Sequence, residues 1–374
     1  MNKANEAYHP GLEGVIAGET AICSVEQDGL AYRGYDVTDL AEHASFEECA
    51  YLLLHGELPT EPELKLFRRC LASHYELPPP VIEALRAIPR HIEGMDVLRT
   101  GVSLSAHYDS CSGSSREVLL CRAARLLAQT PAIIGARLRL LAGQAPLAPL
   151  PGLSHAGQML YLTLGHEPTP LAERTLNLTL ILYAEHEFNA STFAARVCTS
   201  TESDLYSAVV AAIATLKGPL HGGANEAAIR LINRFGSAAE ARTWVTQALA
   251  DKTKIMGFGH RVYKNGDHRA RILERHLGEL AAARDERWRL EVYDAIKDTV
   301  QQAKGLHPNL DFPCGLAYYL LGLPIDIYTP LFVASRVSGW CAHIIEQTEH
   351  NRIIRPRSRY TGPPRRKFVP LAER

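Results

Sequence analysis

Strand-forming text in this chain stops near residue 35, and the remaining residues are written in helical segments. Between Gly11 and Arg33, T-A-I-C-S-V and L-A-Y-R flank Asp28-Gly29, which predicts a small hairpin of two short strands. Ser45 with Glu48 reads as a capping box opening S-F-E-E-C-A-Y-L-L-L-H, closed by Gly56 and Pro59. Thr130-Pro131 predicts a helix start with its end at Gly143, and residues 144–153, with three prolines and no charge, predict a loop. Thr169-Pro170 opens the next helix. Ser203 is expected to cap D-L-Y-S-A-V-V-A-A-I-A-T-L-K, a segment apolar nearly all round and stopped by Gly218-Pro219. Further helices are expected at 224–235, 238–251, 267–283 and 285–304. The fold class is all-α with a minor N-terminal hairpin.

At 374 residues the chain exceeds one typical domain, so two domains, or one with a smaller insert, are expected. A net charge of −1 gives no global reason to expect nucleic acid or an acidic membrane surface. The basic tail after Glu349 is not interleaved with the aromatics that base stacking needs, so it reads as a solvated charge run. Eight cysteines stand singly with no C-x-x-C pair, and the first nine residues lack the apolar core of a signal peptide. Reduced thiols and a cytoplasmic location are expected. The apolar runs fall short of the roughly 20 residues that cross a bilayer. No metal site is expected either. H-E-x-x-H is absent, and His186, flanked by glutamates in A-E-H-E-F-N, lacks a second histidine at helix spacing.

The chemistry concentrates between Leu216 and Ala270, where each end sets a histidine beside glycines. His221, in G-P-L-H-G-G-A-N-E, precedes a predicted helix. Unpaired N–H groups and the helix dipole there suit a developing oxyanion and favour a neutral imidazole; a plain helix-capping histidine is the alternative. His260 follows G-F-G, with Lys254, Arg261 and Lys264 around it, which suits phosphates or simply makes a solvated basic turn. Those glycines are not G-x-G-x-x-G, so a dinucleotide site is not expected. Asp311, in N-L-D-F-P-C-G, has apolar neighbours that would raise its pKa and strengthen it as a base; a turn or cap aspartate is the alternative. Arg336 lies in the apolar run F-V-A-S-R-V-S-G-W and needs a partner: Glu346, Asp326, or a substrate carboxylate. Arg269 and Arg355 are candidates for the same task.

Six stretches in order resemble the citrate synthase family over nearly the whole chain. They are the N-terminal G-L-E-G-V-I-A-G-E-T with L-A-Y-R-G-Y-D-V-T-D-L-A-E, then A-E-H-E-F-N-A-S-T-F, G-P-L-H-G-G-A-N-E, I-M-G-F-G-H-R-V-Y-K, N-L-D-F-P-C-G and H-I-I-E-Q. The resemblance implies a helical homodimer. Residues 1–218 and 315–374 would form a large domain, and 219–314 a small one closing over the substrates. It implies condensation of acetyl-CoA with oxaloacetate to citrate, or of propionyl-CoA to 2-methylcitrate, or both by one dual-specificity enzyme, with the acyl-CoA as co-substrate and no permanently bound cofactor. Asp311 would take the α-proton, His221 would donate to the thioester carbonyl, and His260 would polarise the ketone. His186, Arg269 and Arg336, with Arg355 reaching across from a second subunit, would hold oxaloacetate. Lys254, Ile255, Met256, Gly257 and Phe258 would line the CoA site. Three departures stand out: Asp267-His268-Arg269 where D-P-R is frequent, Leu220 for a frequent lysine, and Cys314 for a common serine.

Overall fold

A helix that is apolar on every side has to be surrounded by protein, and Tyr328–Glu349 is: every residue from Tyr328 to Ile345 is buried. Around it pack the helices Phe46–His55, Arg116–Leu141, Pro170–Tyr183, Ala190–Ser200 and Leu205–Leu216. The computed structural model describes residues 8–27, 29–260 and 262–374. Among these are sixteen α-helices and one three-stranded antiparallel sheet, so the fold is all-α with a small sheet, as expected. The sheet is a meander of β1 (Cys23–Glu26), β2 (Gly29–Tyr32) and β3 (Tyr35–Asp36), one strand more than the hairpin read from the sequence. Asp28 lies outside the described residues.

Most helix ends obey their caps. Ser45 Oγ accepts from the Glu48 N–H at 3.3 Å while Glu48 Oε2 accepts from the Ser45 N–H at 2.8 Å, and Gly56 closes the helix in the left-handed region. Two local readings fail. The helix expected to begin at Thr130-Pro131 begins at Arg116 and runs through Pro131 to Leu141. Proline removes one backbone donor there, but Leu126–Arg137 is buried throughout, and tertiary packing overrides the local stop signal. By length and composition this helix could cross a membrane, yet most of its apolar stretch is buried inside the protein. Asp204, not Ser203, caps Leu205–Leu216. Its carboxylate accepts from the Ser207 N–H at 3.0 Å and from Ser207 Oγ at 2.6 Å, and a negative charge suits that end of a helix.

The helices Ala224–Ile232, Ala238–Ala250, His268–Ala283, Arg287–Lys304 and Asp311–Leu320 pack chiefly on one another. The last continues past residue 314. His268–Ala283 also touches Pro170–Tyr183, and Ala224–Ile232 touches the central helix, so this group meets the rest of the chain beside the candidate site.

Candidate active site

Four segments converge: the chain leaving helix Pro170–Tyr183, the turn 218–223, the loop 257–263 with its partner loop 307–311, and the central helix. The two loops are laced by backbone. The Gly259 N–H donates to the His307 carbonyl and the Asn309 N–H to the Gly257 carbonyl, both at 2.9 Å. Asn309 Nδ2 donates to the Gly259 carbonyl at 3.0 Å, and Asn309 Oδ1 accepts from the Asp311 N–H at 3.1 Å. Gly257 has φ +89°, and a Cβ there would stand 3.0 Å from the Phe312 side chain. Only glycine fits so close to the residue that follows Asp311. His260 and Asp311 are thereby held on one rigid piece.

Asp311 is the first residue of its helix, and Tyr183 Oη donates to its Oδ1 at 2.6 Å. Burial pushes its carboxyl up to about 6, against the Tyr183 hydrogen bond and the Arg269 and Arg336 charges, which pull it down. The tyrosine also reaches the arginine on the central helix, since Arg336 Nε donates to the Tyr183 carbonyl at 2.6 Å.

The two histidines are neutral and carry their hydrogens on opposite nitrogens. His221 Nε2 accepts from the Ser191 N–H at 3.2 Å; a backbone N–H can only donate, so the ring hydrogen resides on Nδ1. Ser191 Oγ stands 2.8 Å from the same Nε2 and accepts from Trp340 Nε1 at 3.2 Å, which fixes the ring. His260 Nδ1 accepts from the Val262 and Tyr263 N–H groups at 3.1 and 3.2 Å, which leaves the hydrogen on Nε2. Burial lowers both rings to about 4, helped by Arg336 at His221 and by Arg269 at His260. Each imidazole therefore stays neutral near pH 7 and offers one N–H.

Two guanidiniums lie buried beside them. Arg269 forks onto Asp267 through Nε at 3.0 Å and Nη2 at 2.9 Å. Burial alone would lower this arginine, but the Asp267 carboxylate outweighs it and holds the charge firmly. Asp267 Oδ2 also accepts from the Leu310 N–H at 3.0 Å, tying Arg269 to the Asp311 loop. Arg336 differs: among the described residues no carboxylate lies within ion-pair distance of it. The partners expected from the sequence are taken, Glu346 by Arg196 at 2.7 Å and Asp326 by Arg230 at 2.9 Å. Glu185 acts on Arg336 only through space, and burial lowers the pKa of the guanidinium. A buried cation without an ion-pair partner is suited to receive an anion.

Residues 11–357 match the protein family described as citrate synthase, C-terminal domain. The chain belongs to the citrate synthase family. It is 46% identical over 365 residues to the citrate synthase of Mycolicibacterium smegmatis, spanning 96% of this chain and 97% of that one. It is 45% identical over 373 residues to 2-methylcitrate synthase 2 of Corynebacterium glutamicum, spanning 97% of each. A citrate synthase from the archaeon Thermoplasma acidophilum, solved as a ternary complex with carboxymethyl coenzyme A and oxaloacetate, superposes with a TM-score of 0.93 at 37% identity. That match covers 99% of this chain and all of that one.

Within this citrate synthase fold, six of the residues singled out in the sequence join one contact network. Phe332 meets the His221 ring with centroids 6.5 Å apart and lies 4.7 Å beneath the Arg336 guanidinium. Arg336 leads through Tyr183 to Asp311. On the other side the His260 ring stacks on Tyr263 at 4.5 Å and meets His186 at 5.1 Å, while His186 Nε2 pairs with Tyr263 Oη at 3.1 Å. Burial, then Arg269, keep His186 well below its usual pKa. Arg355 does not join them; it is exposed on the tail beyond the central helix. Lys254 is exposed, Ile255 and Phe258 pack on the core, Met256 is half-buried and Gly257 buried. Arg261 lies outside the described residues. Sequence reasoning passed over Tyr183, Ser191, Tyr263 and Phe332. Tyr183 immediately precedes the A-E-H-E-F-N-A-S-T-F stretch and Ser191 lies within it; that adjacency was the signal available.

Proposed function

We propose that the chain condenses acetyl-CoA with oxaloacetate and hydrolyses the resulting thioester to citrate and CoA. What supports this is the pair of neutral imidazoles with opposed tautomers, joined in one contact network with a carboxyl whose pKa burial raises. A proton α to a thioester is a very weak acid, so its removal needs a desolvated base and a donor at the carbonyl together. Asp311 takes that proton. His221 Nδ1–H holds the enol oxygen, and a donor of this kind is worth about 3–4 kcal/mol. The enol carbon attacks the oxaloacetate ketone, whose oxygen receives the hydrogen bond and then the proton of His260 Nε2–H. Arg336, Arg269 and His186 hold the substrate carboxylates, and Arg355 from a second copy of the chain completes the site in a homodimer. Residues 254–258 present backbone to CoA, with exposed Lys254 reaching a phosphate. Domain closure of 219–314 brings the halves together and excludes water until hydrolysis.

The 2-methylcitrate reading, with propionyl-CoA, is supported by a relative of that name at nearly the same identity. One methylene discriminates by only about 1–3 kcal/mol. Thiol release measured on one preparation with both acyl-CoAs is expected to give acetyl-CoA the larger kcat/KM, by about tenfold or more. A preference for propionyl-CoA would transfer the assignment to 2-methylcitrate. Loss of oxaloacetate-dependent thiol release with both would remove the reading altogether.

Tyr183→Phe tests the base separately. The hydroxyl favours the ionised carboxylate, so its removal raises the Asp311 pKa further. The acid limb of kcat/KM against pH should then move to higher pH, with activity recovered on the alkaline side. An unmoved limb would mean that another group sets it.

A further inference from the structure

Eight cysteines spaced singly in the sequence do not stay apart in the fold. Cys111 Sγ lies 3.4 Å from Cys121 Sγ, and both residues are partly exposed. Among the described residues no other two cysteines touch. The loop carrying Cys111 is fastened over the helix carrying Cys121 by two arginines, of which Arg125 donates through Nη1 to the Tyr108 carbonyl at 3.0 Å. Arg122 Nε donates to Asp109 Oδ2 at 2.7 Å, Nη2 to the Cys111 carbonyl at 2.8 Å and Nη1 to the Gly113 carbonyl at 3.0 Å. The Cys111 N–H donates to Asp109 Oδ1 at 3.0 Å. Cys111 therefore has little freedom to leave, and its sulfur waits beside a fixed partner one turn and a half into helix Arg116–Leu141.

We propose that Cys111 and Cys121 form a reversible dithiol–disulfide site that reacts with low-molecular-weight disulfides such as glutathione disulfide. Bond formation needs an S–S separation of about 2.05 Å, so the sulfurs close by little more than 1 Å, a movement within reach of the two χ1 angles. The reaction balances in two steps. The thiolate of one of the two cysteines attacks one sulfur of glutathione disulfide and expels a glutathione thiolate. The other thiol then loses its proton and attacks the protein sulfur of the mixed disulfide, expelling the second glutathione. Either thiol can donate in that contact, so either sulfur can attack first while the other resolves. The four buried cysteines, 23, 49, 314 and 341, are closed to such a reagent. Cys70, close enough to feel the Cys111 charge, is the competing thiol.

The test uses the full chain, incubated with glutathione disulfide, alkylated, digested without reductant and read by mass spectrometry. The expected product is a peptide pair joined through Cys111 and Cys121, two hydrogens lighter than the free thiols, and reversed by dithiothreitol. Cys111→Ser and Cys121→Ser each remove the resolving thiol, and each is expected to trap glutathione on the cysteine that remains. Thermal melts of both variants confirm that they are folded. Recovery of both thiols in wild type under conditions that modify Cys70 or Cys198 would overturn the proposal. So would a stable mixed disulfide on the wild-type protein, or a link from Cys111 to Cys70.

Discussion

Asp311→Asn lowers kcat by about 10²–10⁴-fold, the usual span for loss of a positioned general base, and leaves oxaloacetate binding intact. The amide keeps the shape of the side chain and still accepts the Tyr183 hydroxyl through its oxygen. What vanishes is the basicity. The same substitution should make the protein more stable. Burial raises the Asp311 carboxyl from 3.8 to about 6, so the folded state holds its proton more tightly than the unfolded chain does. That stabilising term is fully present below pH 4 and is lost as pH rises through 6. Above pH 6 the buried charge costs about 3 kcal/mol. An uncharged Asn escapes that cost, so wild type and variant differ little at pH 4 and diverge in the variant's favour at pH 7–8. Thiol release, calorimetric titration with oxaloacetate and denaturant melts at the two pH values check the three parts. Turnover near the wild-type rate would sink the base assignment; equal stability at both pH values would sink the burial argument.

Much of this organisation can be read along the chain, because caps and breakers are local. Ser45, Gly56 and Thr169 act within four residues of themselves, and the helices they bound are where the text puts them. Pro131 misleads for the opposite reason: its meaning depends on neighbours brought by distant segments. The site divides the same way. His221, His260 and Asp311 announce themselves through glycine, proline and apolar context, and the resemblance to a family gave them roles. Their supports are long-range. Tyr183 reaches Asp311 across 128 positions, and Ser191 reaches His221 across 30. Nothing at Arg336 shows that Glu346 is already claimed by Arg196, another residue of the core. The Cys111–Cys121 contact is invisible as spacing, since ten residues of loop and helix can place two thiols anywhere within several turns.

Gly339→Ala should unfold the protein more readily, whereas Gly278→Ala should protect it, and the space around each glycine decides the sign. Gly339 sits on the central helix where it crosses the segment that leads into His186. A methyl there would lie 2.5 Å from the Ala184 carbonyl oxygen and overlap the Glu185 carboxylate. A flexible side chain could move aside, but the carbonyl cannot. Its segment is pinned by Tyr32 Oη, which lies 3.0 Å from the Ile181 carbonyl and 3.1 Å from that of Glu185. Glu185 is itself held by His343 Nε2 at 2.9 Å with no exposure to water. Overpacking a rigid crossing costs about 1–3 kcal/mol and at times more. Because Tyr183, His186 and Arg336 flank this crossing, the displaced helix should also weaken oxaloacetate binding. Gly278 is the matched control: it is exposed in helix His268–Ala283, and an added Cβ meets nothing within 4 Å. Alanine there restricts the unfolded chain and favours the helix by about 0.5–1 kcal/mol. Urea melts of the two variants beside wild type should place Gly339→Ala well below and Gly278→Ala slightly above. A Gly339→Ala variant as stable as wild type, with unchanged KM for oxaloacetate, would show that the central helix does not approach His186 as closely as described.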